Sequence, residues 1–134
     1  MISAVDSNVL IDLLGPSTKF AGPSIDALDN CRRQGALIIC PVVVAETAAY
    51  FGSAQLMRET FQAMHLELRS FDWQDLHRAG EAYVHYCRRS RAPKPRMLAE
   101  FLVAAHAFTH ADALLTRDRG YYRTYFPKLV LIEP

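Results

Sequence analysis

The chain has 134 residues, 51% of them hydrophobic and 22% charged, with a formal net charge of +1. That balance excludes a disordered chain, and it excludes a global field that would draw the molecule to nucleic acid or acidic lipid. Any polyanionic partner must therefore be held by a local patch. One domain covering residues 1–134 is expected, long enough to bury roughly two-thirds of its unfolded surface. Cys31, Cys40 and Cys87 are odd in number and lack metal-type spacing, which reads as free thiols in a reducing cytoplasm. No signal peptide precedes the first apolar segment, and no apolar run reaches the ~20 residues of a membrane span. A cytoplasmic protein with no membrane partner is expected.

The first element is a buried strand, Ile2–Val5, that turns through Asp6-Ser7-Asn8 into a helix carrying Val9, Leu10, Ile11, Leu13 and Leu14. Residues 15–18 make a turn. A helix follows over about 23–34, with Gly35 ending it. Residues 36–40 form a short strand apolar enough to be buried on both faces. Pro41 suits a first helical turn, and the apolar run 42–51 continues the helix to a break at Gly52-Ser53. Another helix covers about 54–64, and 66–71 alternates like a strand. Asp72 caps a long helix that reaches about residue 89. Residues 88–96 carry five positive charges and two prolines and read as a basic loop. Residues 97–110 are helical, 113–116 form a strand, 121–126 a helical turn, and 129–132 the last strand. Strands alternating with helices throughout give an α/β fold on a mainly parallel sheet covered on both faces, and five strands fit the length.

Four acids lie in comparable places. Asp6 follows the first strand, at the carboxyl edge where open α/β sheets place ligands. Glu46 is the only formal charge between Arg33 and Arg58, and Glu100 the only one between Arg96 and Asp112. Asp118 lies just beyond the strand 113–116. Helical side chains lean toward the helix N-terminus, so each acid lands on the same edge of the sheet. Singly, any of them could be a capping or dipole acid. Jointly, acids inside apolar stripes cost folding energy unless something pairs with them, and no Lys or Arg is embedded in those stripes. A divalent cation is the economical partner, and an all-oxygen set favours Mg²⁺ or Mn²⁺ over Zn²⁺.

Other motifs carry less. His106 and His110 stand four apart without the Glu of a zinc-protease helix and read as packing or surface histidines. Ser7 lacks a Gly-x-Ser-x-Gly elbow, Gly-rich phosphate loops are absent, and Asn8 stands where an aspartyl-phosphate phosphatase would place a second Asp. Arg88, Arg89, Arg91, Lys94 and Arg96 of the basic loop form either a solvated linker or, if they lie near the acids, a grip for a polyphosphate backbone.

Residues 2–14 (ISAVDSNVLIDLL), Glu46 in VVVAET, Glu100 in LAEFLVAAHA, ADALLTRDRGYY at 111–122 and the closing YFPKLVLIEP resemble the PIN-domain ribonucleases. The likeness is nearest to VapC-type toxins of toxin–antitoxin pairs and spans essentially the whole chain. The resemblance implies an α/β/α sandwich on a five-stranded parallel sheet and Mg²⁺- or Mn²⁺-dependent endoribonuclease activity. It gives Asp6, Glu46, Glu100 and Asp118 catalytic roles, with Asp6, Glu100 and Asp118 on the metal. Glu100 departs from the family, which mostly places Asp there. Ser7, Asn8 and Thr116 match residues the family keeps around the site. The resemblance further implies an RNA substrate, a homodimer and a cognate antitoxin. Two other readings share the fold: a non-toxin PIN nuclease in RNA processing or repair, and a PIN-fold RNA- or protein-binding module with little turnover.

Overall fold

The computed structural model describes residues 1–16, 19–118 and 120–134. Five strands form one sheet in the order β3-β2-β1-β4-β5: β1 Ile2–Val5, β2 Ala36–Ile39, β3 Leu66–Leu68, β4 Ala113–Leu115 and β5 Leu131–Ile132. Every pairing is parallel. The helices are α1 Ser7–Leu14, α2 Ala21–Gln34, α3 Pro41–Thr47, α4 Ala54–Ala63, α5 Trp73–Arg89, α6 Met97–His110 and α7 Gly120–Tyr125, with a 3-10 turn at Ala48–Tyr50.

From β1 the chain steps outward through β2 to β3, then returns past β1 to β4 and β5. Right-handed crossovers taken in opposite directions put their helices on opposite faces, so α1–α4 cover one side and α5–α7 the other. This is the α/β/α arrangement, and the strand order reverses between β1 and β4. Parallel strands covered on both faces are apolar throughout, and here Ala4, Val5, Leu37, Ile38, Ile39, Ala113, Leu114 and Leu115 are all buried. The helix α6 is buried along most of its length through Met97, Phe101, Val103, Ala104, Ala105 and Ala107. Its alanines let it approach both the sheet and α5 closely.

Local chemistry sets the boundaries. Gly35 joins α2 to β2 where the chain passes so near Met1 that a Cβ would overlap the Met1 carbonyl. The expected helix over 42–51 stops being α-helical at Thr47, whose buried hydroxyl donates back to the Val43 and Val44 carbonyls, each 3.0 Å away. Such back-bonding competes with the regular ladder, and the chain tightens into the 3-10 turn. The strand expected over 66–71 is paired only at Leu66–Leu68. Past the Arg69 N–H, which reaches the Ile39 carbonyl at 2.9 Å, the β2 strand offers no further ladder. Asp72 caps α5 as expected, in a reciprocal box with Asp75. The expected turn at 15–18 falls partly on Ser17 and Thr18, outside the described residues. All three cysteines are free thiols. Among the described residues no helix is long and apolar enough to cross a membrane.

Candidate active site

The carboxyl ends of β1 and β4 meet where the strand order reverses, the place where open α/β sheets bind ligands. There a cleft of about 230 Å³ is lined by Asp6, Ser7, Asn8, Glu46, Glu100, Val103, Asp118 and Tyr122. The structure thus gathers all four sequence-predicted acids. Asp6 comes from the β1–α1 junction, Glu46 from α3, Glu100 from the first turn of α6, and Asp118 from the segment between β4 and α7. They form a graded set. Asp6, 4% exposed, is the floor, Glu100 is half-buried in the wall, and Glu46 and Asp118 stand exposed at the rim.

Asp6 is built into its place. Its Oδ2 accepts from Thr116 Oγ1 at 2.8 Å, Tyr122 OH at 3.0 Å and Asn8 Nδ2 at 3.3 Å. Its Oδ1 accepts from the Ser7 N–H at 2.7 Å. The Ser7 hydroxyl lies 3.3 Å from Glu46 Oε1 and 3.4 Å from Asp6 Oδ1, so it bridges the two carboxylates weakly. Oδ2 is saturated by its three donors, which leaves Oδ1 as the oxygen with coordination capacity to spare. Thr116 Oγ1 also accepts from Asn8 Nδ2 at 3.1 Å and the Asp118 N–H at 3.0 Å, while Asn8 Oδ1 accepts from the Arg117 N–H at 3.1 Å. Asn8 and Thr116 therefore tie the start of α1 to the segment after β4.

The electrostatics are those of crowded acids. Burial pushes Asp6 above the ordinary carboxylate range against the pull of its Thr116, Tyr122 and Ser7 hydrogen bonds, and the Asp118 charge adds to the rise. Glu46 is also raised: its carboxyl sits where the cleft walls restrict water, the Asp6 charge adds, and the Ser7 hydroxyl offsets in part. Glu100 is pushed up to about 7, first by burial, then by Asp118 and Asp6, with Arg96 opposing and Glu46 adding. Burial lifts the Tyr122 hydroxyl well above its usual value, with the Asp6 charge next, so Tyr122 acts as a donor at neutral pH. Among the described residues no cationic side chain lines the cleft. Four carboxylates gathered in one cleft fit a hard divalent cation such as Mg²⁺ or Mn²⁺.

Two features escaped the sequence. Tyr122 lay within a quoted motif, yet nothing in its spacing announced a hydroxyl aimed at an acid 116 residues away. Asp12, buried on α1, accepts a forked pair of hydrogen bonds from Arg117 at 2.7 and 2.8 Å and one from Ser24 Oγ at 2.7 Å. That pair, 105 residues apart in sequence, anchors the segment between Thr116 and Asp118. The only early signal was an Asp on an apolar helix.

The basic residues Arg88, Arg89, Arg91, Lys94 and Arg96 are all exposed. Arg88 and Arg89, expected in the loop, instead close the last turn of α5, whose helical ladder carries through them. The loop beyond, with Arg91, Lys94 and Arg96, is pinned by the Lys94 N–H donating to Tyr86 OH at 2.9 Å, and at its far end the Arg96 charge acts on Glu100. His106 is a core residue, its Nε2 3.0 Å from the Arg69 carbonyl. His110 lies 2.8 Å from Asp75 Oδ2 and 3.5 Å from Asp72 Oδ2. Among the described residues, this trio brings three potential ligand atoms within 4.8 Å of one another, tighter than the spread carboxylates of the cleft. Asp75 Oδ2 also accepts the Asp72 N–H at 3.0 Å, and the arrangement clamps the start of α5 to the end of α6.

Fold and cleft together define an α/β protein with a carboxylate site at its topological switch point. The PIN domain model matches residues 4–127, and the chain belongs to the PIN-domain family, whose members are generally nucleases. Several solved structures share the fold. VapBC2 from Rickettsia felis, bound to a DNA fragment from their promoter, is 17% identical with a TM-score of 0.71 over 99% of this chain and 98% of that one. VapBC-1 from nontypeable Haemophilus influenzae is 15% identical with a TM-score of 0.72 over the same shares. FitAcB from Neisseria gonorrhoeae is 19% identical with a TM-score of 0.65 over 98% and 96%. No curated protein sequence matches.

Proposed function

We infer that the protein is a Mg²⁺- or Mn²⁺-dependent endoribonuclease, the toxin of a toxin–antitoxin pair acting in the cytoplasm as a homodimer. The observation that carries the reading is the convergence of Asp6, Glu46, Glu100 and Asp118 on one cleft in a PIN-domain chain. The fold shared with VapBC complexes supports an antitoxin partner. The exposed basic loop beside Glu100 supports an RNA substrate, since phosphates need cationic partners and it supplies them within reach of the acids.

Asp6, Glu100 and Asp118 would hold the cation, Asp6 through Oδ1. When bound, the cation supplies Lewis-acid polarisation of the scissile phosphate and acidifies a coordinated water. Thr116, Tyr122 and Asn8 donate to Asp6 and fix its carboxylate in one orientation, so little reorganisation accompanies reaction. Glu46, at the rim and linked to Asp6 through Ser7, would accept a proton from an attacking water. Catalysis is then positioning plus charge stabilisation, with no covalent nucleophile required.

The test is cleavage of single-stranded or structured RNA by purified protein. Cutting in Mg²⁺ or Mn²⁺ that stops in EDTA is expected. Cutting that persists undiminished in EDTA overturns the metal-dependent reading. For the toxin role, expression should arrest growth and Asp6→Ala should relieve the arrest.

A further inference from the structure

The short helix α7 shows two faces. Tyr122 turns inward to Asp6. Tyr121, about 100° around the helix from it, is 40% exposed on the side facing α5. Tyr121 and Tyr125, one turn apart, hold their rings 22° from parallel with centroids 6.4 Å apart. Both meet the buried ring of Tyr86 edge-on, at 5.5 and 6.1 Å. The Arg89 guanidinium lies 5.8 Å from the centre of the Tyr125 ring. These residues, with Ser90 and Thr124, line a shallow cleft of about 270 Å³. Core packing accounts for Tyr86 and for Tyr125, which rests on Phe101 at 5.2 Å. Tyr121 touches both rings yet keeps 40% of its surface open to solvent, which core packing does not account for.

The position of this cleft matters as much as its composition. Tyr121 is covalently adjacent to a wall residue of the carboxylate site, and the basic loop runs between the two, pinned to Tyr86 at Lys94 and reaching Glu100 at Arg96. One strand of a polyanion could therefore lie with a phosphate at the acids, its backbone along Arg89, Arg91 and Arg96, and a flat ring on the tyrosines. Aromatic faces beside arginines are how proteins hold single strands without reading sequence, because every base has a π-face.

We propose that Tyr121, Tyr125 and Arg89 form a base-stacking subsite that holds one nucleobase of single-stranded RNA next to the phosphate engaged at the carboxylate cleft. The proposal rests on the nuclease reading, and its test reads binding alone. A fluorescein-labelled single-stranded RNA of about 12 nucleotides, within the span such surfaces cover, is titrated with protein in EDTA and followed by anisotropy. An abasic ribose-phosphate strand of the same length serves as comparison. Wild type should bind the intact strand more tightly than the abasic one. Tyr121→Leu should raise the dissociation constant for the intact strand about 5- to 100-fold, the scale of one lost stack, and leave the abasic strand unchanged. Tyr121→Phe should stay within about twofold of wild type. Equal binding of intact and abasic strands by wild type overturns the proposal whether or not the leucine variant folds. So does a folded Tyr121→Leu protein with unaltered affinity. A protein that binds as expected but never cuts RNA would sink the nuclease reading and leave the subsite standing.

Discussion

The Arg117–Asp12 pair offers a test of how the segment carrying Thr116 and Asp118 is held. The Asp12 side chain is 4% exposed and that of Arg117 32%. Removing the guanidinium leaves a buried carboxylate with Ser24 as its remaining partner. Breaking a buried pair by deleting one member costs about 3–5 kcal/mol. Because water reaches a third of the arginine, the low end applies, about 3 kcal/mol. With an unfolding entropy of about 2.1 cal/mol/K per residue, a chain of 134 residues loses about 11 °C in melting temperature for that cost. Arg117→Met is the variant of choice, since it keeps the stem over Phe20, where the guanidinium now stacks at 4.2 Å. Asp12→Asn should cost less, about 1 kcal/mol, because the freed arginine can turn to solvent while Asn keeps a hydrogen bond to Ser24. The double variant should then melt several degrees above Arg117→Met alone, since the second change removes the stranded charge. Thermal melts of the four proteins give the coupling. Melting shifts that simply add would refute the reasoning and leave Arg117 as an ordinary surface contact. Arg117→Met should also lower RNA cleavage at temperatures where it is folded, because Asn8, Thr116 and Asp118 meet around its backbone.

Three further outcomes are expected. Glu100, with a folded pKa of about 7 against an ordinary 4.5, binds its proton more tightly folded than unfolded, so its contribution to stability is present at low pH and lost as pH rises from about 4.5 to 7. Melts in EDTA across that range should fall, and Glu100→Gln should flatten the fall; a slope unchanged by the substitution would place Glu100 in open solvent. At saturating Mn²⁺, Glu100→Asp should keep most RNA cleavage while Glu100→Ala loses about 10-fold or more, and equal rates for wild type and Glu100→Ala would reduce the residue to a dipole acid. Changing Arg88, Arg89 and Arg91 together to Ala should flatten the salt dependence of RNA binding by about 0.7 log units per lost phosphate contact, and an unchanged slope would return the loop to a linker.

What could be read from the sequence and what could not divide along a physical line. The strand Ile2–Val5 and the helix Met97–His110 were legible to the residue because hydrophobic pattern and stop signals coincide at both ends. The end of α3 was not, because Thr47 carries no outward sign of which carbonyls its hydroxyl will choose. Strand β3 was overextended because the alternation in 66–71 says nothing about how far its neighbour runs. The four acids could be placed together because each follows or faces the carboxyl end of a strand, and parallel topology carries those ends to one edge. Their burial could not be inferred: Glu46 sits in an apolar stretch of sequence but stands exposed at the cleft rim, and Asp6 is cradled by neutral donors instead of standing bare. Tyr122, and Arg117 with its distant Asp12, depend on contacts across more than a hundred residues, which periodicity does not encode. His110 read as an ordinary histidine, and only the packing of α6 on α5 brings it to Asp75.

The central claim is that a cation works at the Asp6 cleft and not at the tighter Asp72–Asp75–His110 trio. It is tested most directly by Mn²⁺-dependent cleavage of one RNA by Asp6→Ala and His110→Ala, side by side with wild type and with melts to confirm folding. Asp6→Ala should lose nearly all cleavage at every Mn²⁺ concentration, while His110→Ala cuts like wild type with the same Mn²⁺ midpoint. Robust cutting by folded Asp6→Ala, or a Mn²⁺ midpoint displaced only by His110→Ala, would contradict the account.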